Sequence, residues 1–286
     1  MKIPVLIGAC FLAVASTIPT NPGFHDEIKL GKEKELRVKL QAALGKLVLS
    51  RAPQPYLLIS DLEPHKAVVL TPDIRYSLSG KTGILDIGID VHGKRNDSYP
   101  FHYGSSDIAF WNLKLTDAIP ITFKGELGAG EGEFDLSGLR LERFELSTGA
   151  SSVRVQFDAP NPMVMDELRI ESGVSKFEGV NLGYANFRTM TFSGGVGKYD
   201  LNFDGVQQVE SFIKVEMGIG TLVIEIPGEV GVRIDNEGSF LSTLHVDSDI
   251  EKQHGDIYYS ANYDSAKRKM NLKVSSALGT VTIRHR

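Results

Sequence analysis

The stretch Gly128-Ala129-Gly130-Glu131-Gly132-Glu133-Phe134-Asp135-Leu136 joins one alternating run to another through a glycine-rich corner. The same phrase returns at Thr148-Gly149-Ala150-Ser151-Ser152-Val153 and at Ser172-Gly173-Val174-Ser175-Lys176-Phe177. It recurs again at Gly194-Gly195-Val196-Gly197-Lys198-Tyr199 and at Met217-Gly218-Ile219-Gly220-Thr221-Leu222. Successive corners at Gly128, Gly149, Gly173, Gly195 and Gly218 lie 21 to 24 residues apart. A repeat of that length predicts an all-β chain, a β-solenoid of stacked short strands with glycine corners.

The runs on either side of each corner support this. Phe144/Leu146 and Val153/Val155/Phe157 bracket one corner, and Met190/Phe192 and Tyr199/Leu201/Phe203 bracket another. Side chains two apart share a face, so each coil is expected to send an apolar row inward and a polar row outward. Coils stacked about 4.8 Å apart would cover one another's rows, with glycine allowing close backbone approach at the corners. Corners are also expected at Gly45, Gly83 and Gly279.

Composition limits the function classes. The 286 residues include 29 glycines, 12 prolines and one cysteine, and the net charge is −5. Interspersed signs and a mild negative balance argue against a nucleic-acid binder, which would carry a basic face. The N-terminus reads as an export signal: Lys2 precedes an uncharged, mostly apolar run from Ile3 to Ala15 that ends in the small-x-small pattern Ala13-Val14-Ala15. That run is too short to span a bilayer as a helix. Ile7-Gly8-Ala9-Cys10 looks like a lipobox, which would anchor the chain by lipid on Cys10. The preferred reading is an ordinary cysteine of the signal, because the apolar run continues through Phe11-Leu12-Ala13.

The expected organisation is a signal peptide over 1–15, a leader linker over 16–33 and N-terminal β-repeats over 34–95. An aromatic-rich insertion follows over 96–118, then the main β-repeat domain over 119–286, with an irregular segment at 236–256. The terminal Arg284-His285-Arg286 is expected to be a polar, basic end that discourages strand addition at an open edge.

No pattern for catalysis, metal or nucleotide stands out. Gly194-Gly195-Val196-Gly197-Lys198-Tyr199-Asp200 nearly spells a calcium nonapeptide, but its aspartate is one residue late and it lacks a tandem copy, so it reads as a corner. Glu126, Glu131, Glu133 and Asp135 invite comparison with a glycosidase carboxylate pair; alternation with Phe134 and Leu136 places the last three on a solvated face. The histidines are scattered, although His92, His102 and Asp97 could meet in a loop. The candidate binding surface is therefore the aromatic group Tyr99, Phe101, Tyr103, Phe110 and Trp111. The competing reading, which is preferred, has Phe110 and Trp111 plug the end of the stack.

The run from Pro120-Ile121-Thr122-Phe123 through the Gly128 corner to Ser137, with Leu139 and Leu141, resembles the bacterial toast-rack domains of unknown function. So do Gly149-Ala150-Ser151-Ser152-Val153 and the later Tyr259-Ser260-Ala261-Asn262-Tyr263-Asp264, Leu272-Lys273-Val274 and Leu278-Gly279-Thr280-Val281. Those domains are similar to the extracytoplasmic part of LiaF-type envelope-stress regulators and to adhesin-like head domains. The resemblance spans roughly residues 100 to 286 and implies a toast-rack fold, with no catalytic residues to carry over. LiaF-type regulators have transmembrane helices before this domain, whereas here only a short export signal precedes it.

The expectation is an exported, non-enzymatic structural or interaction module of the periplasm or cell envelope, without cofactor. Its partner would be an envelope protein or a polysaccharide. The alternatives are a β-solenoid carbohydrate-active enzyme and a soluble partner of an envelope-stress sensor.

Overall fold

A computed structural model describes residues 23–63, 70–91, 109–205 and 208–286. The signal over 1–15 and the aromatics Tyr99, Phe101 and Tyr103 lie outside the described residues, as do His92, Asp97 and His102. The strands are β1 (Phe24–Lys29), β2 (Glu35–Arg51), β3 (Tyr56–Glu63), β4 (Leu70–Ser79), β5 (Thr82–Val91) and β6 (Phe110–Leu115). Then come β7 (Ile121–Asp135), β8 (Leu141–Gln156), β9 (Met165–Val180), β10 (Phe187–Asn202) and β11 (Ser211–Ile226). The last are β12 (Val230–Asn236), β13 (Ser242–Val246), β14 (Ile250–His254), β15 (Ile257–Ser260) and β16 (Arg268–His285). Among the described residues all sixteen join one hydrogen-bonded sheet, so the all-β, solenoid-like fold stands.

The heart of the sheet is β2, β7, β8, β9, β10, β11 and β16, side by side and parallel. Each is long because it turns a corner without losing its ladder. In β7 the buried residues Ile121, Phe123 and Leu127 keep the two-residue period, and Gly132 and Phe134 resume it out of phase. The same odd step separates Thr148 from Val153, Ser172 from Phe177, Gly194 from Tyr199 and Met217 from Leu222. A straight strand would put one member of each pair outside; a bent one turns both inward. The two halves of each strand form two sides of a coil, and short connections such as 136–140 and 157–164 form the third.

Glycine makes the bend possible in two stacked columns. The first holds Gly128, Gly149, Gly173, Gly195 and Gly218, the expected corners. There a Cβ on Gly149 would come within 2.3 Å of the Gly128 carbonyl oxygen. The second column holds Gly45, Gly130, Gly197, Gly220 and Gly279, paired in register apart from the serines that stand in it on β8 and β9. Gly220 has φ +145° and would put a Cβ 1.8 Å from the Gly197 carbonyl oxygen, so no other residue fits there. Gly279 thus belongs to the second column, not with Gly128. Gly83 is not a corner: it lies in β5, just past the β4–β5 hairpin turn, where Gly80 has φ +64°.

Inside, large rings alternate with missing side chains. Phe123 stacks on Phe144 of the next coil at 5.0 Å, and Phe134 meets both edge-on. These rings fill the space left by Gly125 and Gly132, where an added Cβ would lie 2.8 Å from Phe123 and from Phe134 respectively. Gly194 does the same beneath the Tyr199 ring. The glycines of Gly194-Gly195-Val196-Gly197 therefore serve three separate steric needs: an inward gap and one place in each column.

The third side is held by a buried asparagine. Asn161 Nδ2 donates to the carbonyls of Leu141 and Ala185, one coil to either side, and its Oδ1 accepts from the Leu141 and Met163 amides. Unpaired backbone groups here would be costly, and one side chain satisfies several.

Both ends depart from the expected organisation. Strand β1 falls within the stretch expected as a leader linker, and β13 and β14 fall within the stretch expected to be irregular. The C-terminal strand is no edge: β16 inserts between β11 on one side and β12 and β13 on the other. His285, part of the expected polar and basic end, is buried against Asp249, with Nε2 2.8 Å from the Val230 carbonyl oxygen. The hydrogen-bonding needs of the last coil outweigh the polar character of Arg-His-Arg.

Candidate functional site

The corner geometry decides what this protein shows to a partner. Between the two glycine columns one residue per coil has neither a core to enter nor a face to lie on, so it points outward. These residues are Leu44, Ala129, Ala150, Val174, Val196, Ile219 and Leu278, aligned in register from β2 to β16. Val174 is 65% exposed, and Leu44, Val196, Ile219 and Leu278 are also exposed. Surface aliphatics are ordinary singly; an unbroken row of them on one edge is not.

The end coils extend the same edge. Strands β12 and β13 cover the first and second halves of β16, so they are two sides of a final coil whose corner is residues 237–241. That corner carries Phe240, 94% exposed, and Leu241 beside Gly279. At the other end β5 pairs with the first half of β2 and β6 with the second half. They form a first coil, whose first side ends at Val91 and whose second side opens at Phe110. The Ala109 carbonyl accepts the Lys46 amide, beside Gly45.

Charge is distributed by flank. On the first side of the edge, Glu126, Glu171 and Glu216 point outward just before the corner; on the second side, Lys46, Lys176 and Lys198 do so just after it, with Glu131 in the same column. Lys46 Nζ lies 2.7 Å from Glu133 and 3.7 Å from Glu131, and the Glu133 contact raises the Lys46 pKa above its usual range. Lys214, 2.7 Å away, holds the Glu216 carboxyl below the usual range. On the first side, just before the corner at Gly128 and Gly149, a depression of about 580 Å³ is lined by Gln41, Ala43, Ile89, Lys124, Glu126 and Ser147.

The residues singled out from sequence are placed differently. Trp111 is 1% exposed in β6, with its indole N–H donating to Ser60 Oγ at 2.8 Å, so it is a core side chain and not part of a binding surface. Phe110, next to it, is half-buried. Glu133 is engaged by Lys46, Glu126 accepts from Gln41, and Asp135 accepts from the Ser137 amide. These carboxylates line outer faces and do not oppose one another across a cleft. Asp200, the aspartate of the calcium-like phrase, pairs with Lys198 on the outer face.

The outward residues escaped the sequence reading although a signal was present. Each phrase has an apolar residue between its two corner positions, as in Gly195-Val196-Gly197 and Gly218-Ile219-Gly220. Counting the odd step across the corner would have turned that residue outward.

A candidate cell adhesion protein from Clostridium sporogenes is similar at 17% identity, with 93% of this chain and 99% of that chain covered and a TM-score of 0.47. A candidate adhesin from Bacteroides fragilis is similar at 13%, with 94% and 99% covered and a TM-score of 0.37. At these identities neither bears on function. Among curated proteins none matches. One family model, the N-terminal domain of toast_rack, DUF2154, matches residues 19–166. That is slightly more than half of the chain, and it reaches well before residue 100, where the resemblance of the repeat phrases begins. The chain belongs to the toast-rack family.

Proposed function

We propose that this protein is an exported, non-enzymatic interaction module of the cell envelope whose contacts are made along the corner edge. The observation that carries the reading is the row from Leu44 to Leu278, continued by Leu241 and Phe240. The fold uses its glycines to hold that row straight and outward, and a contiguous exposed apolar strip rimmed by polar residues marks an interaction site. Export rests on the N-terminal run from Ile3 to Ala15, and the partner class is an envelope protein or polysaccharide.

Two measurements test it. Fractionation of the host followed by N-terminal sequencing should find the chain outside the cytoplasm, shortened near Ala15; full-length protein in the cytoplasm refutes export. In vivo crosslinking with mass spectrometry should recover a partner with the natural chain and lose it with Val174→Glu/Val196→Glu/Ile219→Glu. An undiminished partner yield would mean that the edge is not the contact.

A further inference from the structure

Resting on that reading, the structure points to the occupant of the corner edge: we infer that it is a second copy of this chain, packed edge to edge with the two stacks parallel.

The argument is the asymmetry of the flanks. One flank of the edge carries Glu171 and Glu216, and the other carries Lys176 and Lys198. Two such edges can face each other in two symmetric ways. With the stacks antiparallel, glutamate flank meets glutamate flank and lysine meets lysine. With the stacks parallel, about a two-fold axis running along the edge, each glutamate flank meets the other copy's lysine flank. Like charges brought together oppose the first arrangement, and opposite charges favour the second.

Lys176 makes the case concrete. It is exposed, lies beside Val174 and has no ion pair among the described residues. In the parallel arrangement it faces Glu171 of the second copy. In the next columns out both signs occur on each side, and the facing pairs are opposite: Arg169 faces the other copy's Glu178, and Glu145 faces its Arg154. One coil disagrees, since Glu126 would face Glu131. That coil has Ala129 at its apex, where the edge is lowest, and Lys46 lies 3.7 Å from Glu131.

A two-fold axis along the edge also fixes register, because each apex meets its own counterpart. Val174 packs on Val174, Val196 on Val196 and Ile219 on Ile219. The contact is a narrow strip, which places it with weak, concentration-dependent dimers.

Cysteine trapping tests both the partner and the arrangement. In the full chain with Cys10→Ser, Val174→Cys and Ile219→Cys are made separately, at exposed apices where folding should be unaffected. Each should give a disulfide dimer on mild oxidation. A mixture of the two variants should give 174–174 and 219–219 links but no 174–219 link. The two apices are two coils apart, about 10 Å, and a disulfide needs Cα atoms within about 7 Å. Sedimentation should show mass rising towards twice the monomer with concentration, and Val196→Lys/Ile219→Lys should stay monomeric with an unchanged circular dichroism spectrum. Abundant 174–219 links would overturn the parallel arrangement. Folded variants that neither link nor associate would overturn the second copy as occupant; if Val174→Glu/Val196→Glu/Ile219→Glu still lost an envelope partner, the broader reading of the edge would survive.

Discussion

The middle coils and the end coils are built on one plan and differ at the corner. In β7 to β11 the corner is tight, one apolar residue between a first-column glycine and a second-column glycine or serine, and every coil is covered on both sides. In the first coil, β5 with β6, and the last, β12 with β13, two separate strands make the sides, and antiparallel strands close the stack beyond them. Repetition makes a straight scaffold; departure from it caps the ends. Stability should therefore be concentrated in the middle, and substitutions should reveal the gradient.

The largest effect is expected at the second glycine column. Gly220→Val places a Cβ on the Gly197 carbonyl oxygen at an unfavourable φ and should cost about 4 kcal/mol or more in urea unfolding. Gly80→Ala is the matching change at an end: φ is again positive, but nothing lies within 4 Å, and the cost should be about 1 kcal/mol. Equal costs would remove the close-approach argument.

Next comes the aromatic stack. Phe144→Ala removes the ring that lies 5.0 Å from Phe123 and should cost about 4 kcal/mol, seen as a lowered thermal midpoint. Asn161→Ala, which leaves the Leu141 and Ala185 carbonyls without a buried donor, should cost about 2 kcal/mol. At the first coil, Ser60→Ala strands the Trp111 indole N–H and should cost about 1 kcal/mol, with a shift in tryptophan fluorescence.

The smallest effect lies on the edge strand β1. His25 Nδ1 is 2.6 Å from Asp61, with Glu27 at 3.3 Å, and chiefly the Asp61 hydrogen bond raises its pKa above 6.5. The raised value means that the protonated ring favours the folded edge. That contribution is fully present below about pH 6.5 and fades as pH rises through the folded pKa. An NMR titration should find the His25 midpoint above 6.5, and Asp61→Asn should move it back down; an unmoved midpoint would separate His25 from Asp61.

The scaffold was legible because it rests on period. Alternating runs and regular glycine spacing specify strands, corners and an inward row, and the family match and the sheet bear that out. What was not legible depends on partners far away in sequence. Strand β16 sits beside β11 only because β12 leaves a place for it, and no local pattern announces that. Trp111 reads either as an exposed binding ring or as an end plug until Ser60 on the antiparallel β3 is known to accept a hydrogen bond from its indole N–H. Gly83 has a corner's neighbours in sequence, yet the β4–β5 pairing makes the turn at Gly80. Asn161, between Pro160 and Pro162, reads as a loop residue and proves to tie adjacent coils together.

The central claim is that contact runs along the corner edge and not across the flat sides. A photo-crosslinking amino acid placed at position 196 on the edge, and separately at 189, further out on the flat side, tests it directly in the host. The account predicts covalent adducts from 196 and none above background from 189. Adducts from 189 alone, or equally from both, would contradict it.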